Sequence, residues 1–539
     1  MANFHPRMVS FVFALTDNHL LPETAEINED CSPDHEIEQM MRANACTFHT
    51  MALSHAISRG CSIDSVKKYL QHFRQNPEEF AEIMQLGAPV LYYAIGRNSP
   101  ELLKLLIEAG IGPNERQDGD SMLPPLAFAV IHGHLQSLDT TEMVRILLAS
   151  GFDPMIIPKH LWGKYVEKPE EVWPKTKKSI KPLWCDEKIH QLLAQGLNVS
   201  QRYYLYQASI RKPLTAGETQ LAQIHKASGL LKLPYYMIGQ LPIIQNLQQT
   251  ILGHLDFPQS LVMVFAGPPG HGKTELAQQL GNLLNVESVV VPCSQMETDF
   301  QILGPHQGYN GYKDGSLLNN HLAMNHGRFS VVFLDEFDKT STKVCDALLT
   351  LMSEGVHRDR RNENPIDCSR TIWILASNKG DKAIQRFDQG NLKNMDEPEK
   401  LTKPLVSRID HIFPFFPFSH SESAVVAHKF LLQNAAHLRR DIDLSDDARR
   451  HMGHCVITCT EDWKICSHMA EMGYDEDSGA RGLKREARKI LDEARNVYNS
   501  IPGVVSDTLN DGPYERLEVT LVPLGDNLYD YSVSRKLLE

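Results

Sequence analysis

A glycine-rich loop set between an apolar run and a helix-like segment limits most strongly what this chain can fold into. The run Leu261–Ala266 is followed at once by Gly-Pro-Pro-Gly-His-Gly-Lys-Thr at 267–274, and residues 275–284 then carry apolar side chains at helical spacing. Glycines let backbone N–H groups converge on phosphate oxygens at a helix N-terminus, where the helix dipole also favours anions. The sequence therefore predicts a strand–loop–helix unit that binds a phosphorylated ligand.

Two further apolar runs end in residues suited to phosphate chemistry. Ser330–Asp335 ends in a carboxylate and is followed by Glu336, and Thr371–Ser377 is followed by Asn378. We expect Glu336 to act as general base on the attacking water. Asn378 would orient that water, because ligands of such sheets bind at the carboxyl ends of the strands.

ATP and Mg²⁺ are the cofactors that these motifs predict. Lys273 is expected to reach the β- and γ-phosphates, and Thr274 to hold Mg²⁺ with its hydroxyl while Asp335 holds it through water. The expected nucleotide contacts of the loop are Gly267, Pro268, Pro269, Gly270, His271, Gly272, Lys273 and Thr274. Strands alternating with helices over 260–415 predict a mostly parallel sheet with helices on both faces.

Together these motifs resemble the AAA+ superfamily, and within it the second ATPase ring of the Clp ATPases of the ClpB disaggregase type. The resemblance begins at Ile238, which we include among the nucleotide-binding residues. It implies that Asn378 is sensor 1, that Arg408 is an arginine finger acting in a neighbouring subunit, and that Arg481 is a sensor 2 contact to the γ-phosphate. A ring, most simply a hexamer, follows from the same resemblance.

The segment Gly-Tyr-Asn-Gly-Tyr at 308–312 is similar to the substrate-gripping pore loop of these rings, with Asn310 where valine is usual. The resemblance implies that Tyr309 and Tyr312 contact the substrate chain. A tyrosine offers flat apolar area that grips varied sequences, and the glycines permit movement. The alternative is a turn packed on the sheet.

Two earlier segments repeat one pattern, in which an apolar helix is followed by a second helix that stops at a glycine, Gly110 or Gly151. Their spacing is near the ankyrin period of about 33 residues, and 56–70 is a degenerate earlier copy. We predict an ankyrin-type stack, with unrelated helical hairpins as the alternative. A single ATPase ring preceded by such repeats resembles the ankyrin-bearing ClpB homologue of animal mitochondria.

The expected order is an acidic N-terminal segment (1–45), ankyrin-type repeats (46–155), a basic and aromatic connector (156–236), a large α/β ATPase domain (237–418) and a small α+β domain (419–539). The connector interleaves lysines with Trp162, Trp173 and Trp184, a pattern that also occurs in proteins binding single-stranded nucleic acid. We favour docking of the tryptophans onto a neighbouring domain.

Net charge limits the partners. At -13 the chain is too acidic for general binding to phosphate backbones or anionic membranes, so neither nucleic acid nor a membrane is expected. Arg7 is the only Arg or Lys in the first 40 residues, so we expect a cytoplasmic or nuclear protein and not a mitochondrial one. A zinc site is an alternative for one cluster of histidines and cysteines, but the spacing of its residues matches no standard zinc motif. The cluster consists of His451, His454, Cys455, Cys459, Cys466 and His468.

The sequence thus favours an ATP-hydrolysing unfoldase or disaggregase that threads misfolded or aggregated protein through a homo-oligomeric ring. The repeats would recruit a substrate or partner. Two other interpretations stay open: a remodeller of one specific partner complex, and an ankyrin scaffold with a nucleotide-dependent assembly switch.

Overall fold

A computed structural model of the 539-residue chain describes residues 32–42, 50–73, 88–111, 123–174, 182–212, 215–257, 259–294, 296–378, 408–441, 452–500, 514–525 and 528–536. Most of the acidic segment 1–45 lies outside these ranges. The chain divides into two units. The first comprises Met1–Arg211, His428–His468 and Ala487–Glu539, and the second comprises Lys212–Ala427 and Met469–Glu486.

Paired helices make up the N-terminal part of the first unit. They are α1 (Pro33–Arg42), α2 (Thr50–Ser58), α3 (Ile63–Phe73), α4 (Ala88–Gly96), α5 (Pro100–Glu108), α6 (Pro125–Gln136), α7 (Thr141–Ala149), α8 (Glu187–Gly196) and α9 (Val199–Ile210). Helices α2, α4, α6 and α8 pack on one another in that order, and α3, α5, α7 and α9 form a second row. The described helices are therefore stacked as pairs, and α2 and α3 overlap residues 56–70, where a degenerate copy is expected.

Glycines end the second helix of two pairs, as predicted. Gly110 and Gly151 have φ values of 102° and 96°, and the residues after them donate backbone hydrogen bonds to Leu106 O and Leu147 O at 3.2 Å. This left-handed arrangement satisfies helix carbonyls that would otherwise lack donors. Helix α6 ends at left-handed Ser137, so only a short turn leads into α7.

Part of the predicted connector 156–236 belongs to this helical stack. Its residues 187–210 form α8 and α9, which pack on α6 and α7 and extend the helical stack by one pair. Trp162 is fully buried and donates its indole N–H to Ile157 O at 2.9 Å, and Trp184 is also buried. These tryptophans pack inside the first unit, which agrees with docking and not with base stacking.

The second unit is built on a parallel sheet. Its strands are β1 (Leu261–Ala266), β2 (Glu287–Pro292), β3 (Ser330–Asp335), β6 (Thr371–Ser377) and β7 (His411–Pro414), and β4 (Val356–Arg358) and β5 (Pro365–Asp367) form a separate hairpin. The strand order is β2-β3-β6-β1-β7, with every described neighbour pair parallel. The helices are α10 (Ala216–Ile224), α11 (Leu241–His254), α12 (Lys273–Leu284), α13 (Asp299–Leu303), α14 (Leu317–Met324) and α15 (Thr342–Glu354).

The burial of strand β1 on both faces explains why the strands of this sheet are continuous apolar runs and do not alternate apolar with polar residues. Leu261, Met263 and Phe265 pack into the core on one face of the sheet, whereas Val262 and Val264 pack into the core on the other. Because helices cover both faces, each position of a central strand is buried. The predicted α/β sheet with helices on both faces is confirmed.

Elements of both types follow the sheet. They are α16 (His420–Arg439), β8 (Cys455–Cys459), α17 (Asp462–Gly473), α18 (Ala480–Asn499), β9 (Glu515–Gly525) and β10 (Leu528–Arg535), with β9 between β8 and β10. The predicted small domain 419–539 contributes 428–468 and 487–539 to the first unit, where buried Arg202 of α9 pairs with Asp462 at 3.2 Å. Within the described ranges, no helix combines the length and apolarity needed to cross a membrane.

The left-handed stop at Gly151 predicts a position-specific cost. Gly151→Ala should lower the free energy of unfolding by about 1–2 kcal/mol, because an L-residue is strained at φ 96° although a Cβ meets no atom within 4 Å. Gly217→Ala is the matched control, since Gly217 is helical and equally open, and should be neutral or stabilising by up to about 1 kcal/mol. Denaturant titration followed by circular dichroism measures both. Equal effects of the two changes would contradict the assigned backbone role.

Candidate active site

Three strand ends bring the predicted site residues to one edge of the sheet. Strands β3, β6 and β1 are neighbours, and the loop that starts at Gly267 follows β1, Glu336 follows β3, and Asn378 follows β6. The pairing of Ala266 with Ser377 aligns the ends of β1 and β6. The site thus lies at the carboxyl ends of parallel strands, as the sequence predicts.

The loop's backbone forms a close-packed cradle. Gly267, Gly270 and Gly272 have φ values of 145°, 80° and 93°. A Cβ on Gly267 would lie 2.5 Å from Phe415 O, and one on Gly272 would lie 2.5 Å from Met237 Cε. Helix α12 begins directly after Gly272, whose lack of a side chain leaves the first turn open to an anion. These features fit a bound triphosphate.

Lys273 and Asn378 are in direct contact. The buried Lys273 ammonium donates to Asn378 Oδ1 at 2.9 Å and to Pro268 O at 2.9 Å. The lysine expected to reach the phosphates and the amide expected to orient the attacking water therefore lie together.

The two carboxylates after β3 have different environments. Burial raises the pKa of Asp335, and Glu336 N donates to Asp335 Oδ1 at 3.0 Å. Glu336 has left-handed backbone, with φ 52°, and its Oε1 accepts from Lys339 Nζ at 2.7 Å. That hydrogen bond lowers the pKa of Glu336, so this carboxylate is ionised at neutral pH.

The donor set at this edge fits Mg²⁺. The Thr274 hydroxyl and the Asp335 carboxylate are hard oxygen ligands, the type Mg²⁺ prefers, and Mg²⁺ usually keeps several waters and phosphate oxygens. A metal bound there would neutralise phosphate charge. Within the described ranges, no three His, Cys, Asp or Glu side chains are grouped to hold a metal ion, and Cys455 and Cys459 of the zinc alternative lie in β8.

The two predicted arginines are in different settings. Arg481 follows a turn that contacts the glycine-rich loop, since Ala480 N donates to Gly270 O at 3.0 Å, and its charge helps to lower the pKa of Glu336. Arg408 is exposed and donates Nε–H to Ser353 Oγ at 3.0 Å, while residues 405–407 beside it lie outside the described ranges. Arg481 therefore lies near the candidate site of its own chain. The role of Arg408 in the site of a neighbouring subunit stays a prediction.

Ile238 is buried in the turn before α11, next to the Met237 side chain that packs against Gly272. Ile238 is thus adjacent in the chain to a residue that contacts the glycine-rich loop. A contact of Ile238 with nucleotide stays a prediction.

The predicted pore loop is exposed. Tyr309 is 60% exposed, its ring centroid lies 5.5 Å from that of Phe300, and Tyr312 N donates to Tyr309 O at 3.3 Å. Tyr312 is half-buried. The alternative of a turn packed on the sheet is wrong for Tyr309.

Residues that the sequence analysis missed anchor this loop. Arg360, after β4, donates to Gly304 O at 2.9 Å and to Asp299 Oδ2 at 2.8 Å. Ser316 Oγ donates to Ile302 O at 2.7 Å at the other end. Both ends of 304–316 are therefore tied to the unit. No pattern around Arg360 indicated this contact, whereas Lys339 was detectable by its position one helical turn after Glu336.

Comparisons with known proteins indicate which protein family the region around the site resembles. Residues 259–413 match the family model described as an AAA domain of the Cdc48 subfamily. This region of the chain is therefore similar to AAA domains, in agreement with its sheet order, glycine-rich loop and acidic pair.

The individual relatives are of the Clp type. The chain is 30% identical over 241 residues to the chaperone protein ClpB of Chlamydia caviae, a match covering 42% of this chain and 26% of that one. It is 29% identical over 238 residues to ClpB of Malacoplasma penetrans, covering 42% of this chain and 31% of that one. The chain thus matches about a quarter to a third of these curated relatives' length.

A solved structure of Hsp104 in a closed state with ATPγS and FITC casein aligns over 88% of this chain and 82% of that chain. Its TM-score is 0.44 and its sequence identity 16%. Similarity at this level does not establish a shared arrangement of the whole chain.

The assigned roles predict separable losses of binding and hydrolysis. Lys273→Ala should abolish ATP binding, because it removes the cation of the loop. Glu336→Gln should retain ATP but lower turnover by at least about 100-fold, since general bases contribute about 10²–10⁴. Fluorescent-nucleotide binding and phosphate release measure the two properties. Glu354→Gln, at an exposed position at the end of α15, is the matched control. Parental turnover in Glu336→Gln would show that the general-base assignment is wrong.

Proposed function

We propose that the chain is an ATP-driven protein unfoldase or disaggregase, which threads misfolded or aggregated polypeptides through the pore of a ring. The observation that carries the proposal is the exposed Tyr309 on a loop tied at both ends to the same unit as the ATP site. A nucleotide switch needs the site, but it has no use for an exposed aromatic loop of this design.

The loop's anchors supply a path for mechanical load. A substrate gripped by Tyr309 pulls on 304–316, and the guanidinium of Arg360 holds Gly304 while also pairing with Asp299 of α13. Asp359 next to it accepts a hydrogen bond from fully buried Asn319 at 2.9 Å. Force on the loop is therefore borne by α13, α14 and the β4–β5 hairpin and not by the loop alone.

The neighbourhood of Tyr309 suits unspecific gripping. Phe300 is 39% exposed and lies beside the Tyr309 ring, and the His306 ring lies 5.6 Å from that of Phe300. Such a surface contacts apolar and aromatic segments without reading one sequence. An unspecific surface of this kind favours unfolded chains of varied sequence as substrates over a single partner complex.

In this proposal the subunits assemble into a ring, because Arg408 acts in the ATP site of an adjacent subunit. Its exposed guanidinium, which donates to Ser353 Oγ within the chain, would complete the ATP site of an adjacent subunit, where a cation stabilises charge on the departing γ-phosphate. We take six subunits from the resemblance to Clp rings. Turnover per subunit should then rise with protein concentration, and a concentration-independent rate would argue against a site shared between subunits.

The helical stack is assigned to recruitment of substrate or partner, as an ankyrin-type module. Its stacked pairs and glycine stops at Gly110 and Gly151 support this class. Stacks of this kind present elongated surfaces and carry no chemistry of their own.

Substitution of Tyr309 tests the proposal. Tyr309→Ala should abolish ATP-dependent recovery of an aggregated reporter enzyme while leaving basal ATP turnover within about twofold, because the side chain only grips. Tyr309→Phe should retain most recovery, since the grip depends on flat apolar area. Tyr529→Ala is the control, as it removes a partly exposed tyrosine from β10.

The outcomes separate the remaining interpretations. Full recovery by a folded Tyr309→Ala protein would remove the pore-loop role. ATP turnover without recovery of any aggregated reporter by the parent protein would favour a remodeller of one partner. Loss of nucleotide binding in Tyr309→Ala would make Tyr309 a structural residue.

A further inference from the structure

His271, in the middle of the glycine-rich loop, has an unexpected setting. Its side chain is fully buried, and its ring centroid lies 5.1 Å from that of Phe418 and 6.1 Å from that of Tyr474. A polar ring enclosed among aromatic residues has to have its nitrogens satisfied by specific partners, because an unpaired buried polar atom is costly.

Both ring nitrogens have such partners. Nδ1 lies 2.9 Å from Pro269 O, so Nδ1 carries the proton and donates to this carbonyl. Nε2 is then an acceptor, and the Tyr474 hydroxyl donates to it at 3.1 Å. The same hydroxyl accepts from Phe418 N at 2.7 Å. Burial lowers the pKa of His271 and keeps the imidazole in this neutral state.

A second contact joins the same two segments. Ala480 N donates to Gly270 O at 3.0 Å, and a Cβ on Gly479 would lie 2.7 Å from that oxygen. The segment from Tyr474 to Ala480 is itself rigid, because Asp475 Oδ1 accepts from Ser478 N at 2.8 Å and Asp475 O accepts from Gly479 N at 2.9 Å. The glycine-rich loop is thus fastened at two adjacent residues to the turn that precedes Arg481.

We infer that His271 and Tyr474 form a positioning pair, which holds Arg481 in register with the phosphate end of the loop and so sets the preference of the site for a nucleoside triphosphate over a diphosphate. The inference rests on the proposed ATPase site. The nucleotide contact expected of His271 comes from its backbone in the loop, whereas the paired side chains contact each other and act through Arg481. When the pair is lost, the loop keeps its own glycine geometry, while the guanidinium loses its fixed distance from the γ-phosphate position.

Nucleotide affinity in a hydrolysis-deficient background tests the pair. In Glu336→Gln protein, Tyr474→Phe should weaken ATP binding about tenfold and change ADP binding less than twofold, because ADP lacks the phosphate that Arg481 contacts. Tyr92→Phe is the control: it removes a tyrosine hydroxyl that is buried in the helical stack, where it donates to Leu123 O at 2.8 Å. This control should leave both affinities unchanged.

Two further variants make the test robust. The double variant His271→Val/Tyr474→Phe replaces both polar partners and should fold even if one single variant does not, since it leaves neither half of the pair unmatched. It should show the same loss of ATP preference. In an Arg481→Ala background, Tyr474→Phe should have no further effect on ATP affinity, because the residue through which the pair acts is absent.

The inference is overturned if ATP and ADP weaken equally, if the double variant keeps the parental preference, or if Tyr474→Phe and Arg481→Ala act additively. Each of these results would leave the pair as a structural contact of the loop. Failure of the parent protein to recover aggregated substrate would count against the proposed function alone, because the ATP-to-ADP affinity ratio does not depend on remodelling.

Discussion

The close approach of backbone to backbone around the glycine-rich loop is the constraint on which the rest of the site depends. Gly267 lies against Phe415 O, Gly270 accepts a hydrogen bond from Ala480 N, and Gly272 packs on Met237. A side chain at Gly267 or Gly270 would meet backbone oxygens of the second unit, and one at Gly272 would meet the end of the Met237 side chain. The loop is therefore held on three sides before any ligand binds, which is the preorganisation that phosphate chemistry requires.

The sheet turns this constraint into an active site, because the order β3-β6-β1 places the acidic pair and Asn378 beside the loop. Burial and pairing then separate the two carboxylates, with the pKa of Asp335 raised by burial and that of Glu336 lowered by Lys339. The roles of metal ligand for Asp335 and base for Glu336 follow from their positions at the end of β3 and directly after it. The exposed tyrosine loop is anchored on the same unit, so the nucleotide site and the proposed substrate grip share one support.

Local patterns were sufficient to predict the parts of the structure that depend on short stretches of sequence. The apolar runs, Gly110, Gly151 and the loop at 267–274 predicted the sheet, the helix stops and the site, because each depends on the period of burial or on positive φ. The contacts of His271, Arg360 and Arg202 join residues distant in the chain, and nothing in their neighbours indicates them. The prediction of a connector at 156–236 missed α8 and α9 for a related reason. It followed the basic residues of the segment and not the buried apolar face of α8, which includes Ile189 and Leu193.

The central claim is that ATP hydrolysis at this site drives forced unfolding of protein chains. The most direct measurement uses a stably folded fluorescent protein carrying an unstructured tail, mixed with the chain and a trap that captures unfolded molecules. The account predicts that fluorescence falls when ATP is supplied, and persists with ADP or with the Glu336→Gln protein. Unchanged fluorescence while the parent protein hydrolyses ATP at a steady rate would contradict the account and leave the ATPase as a switch.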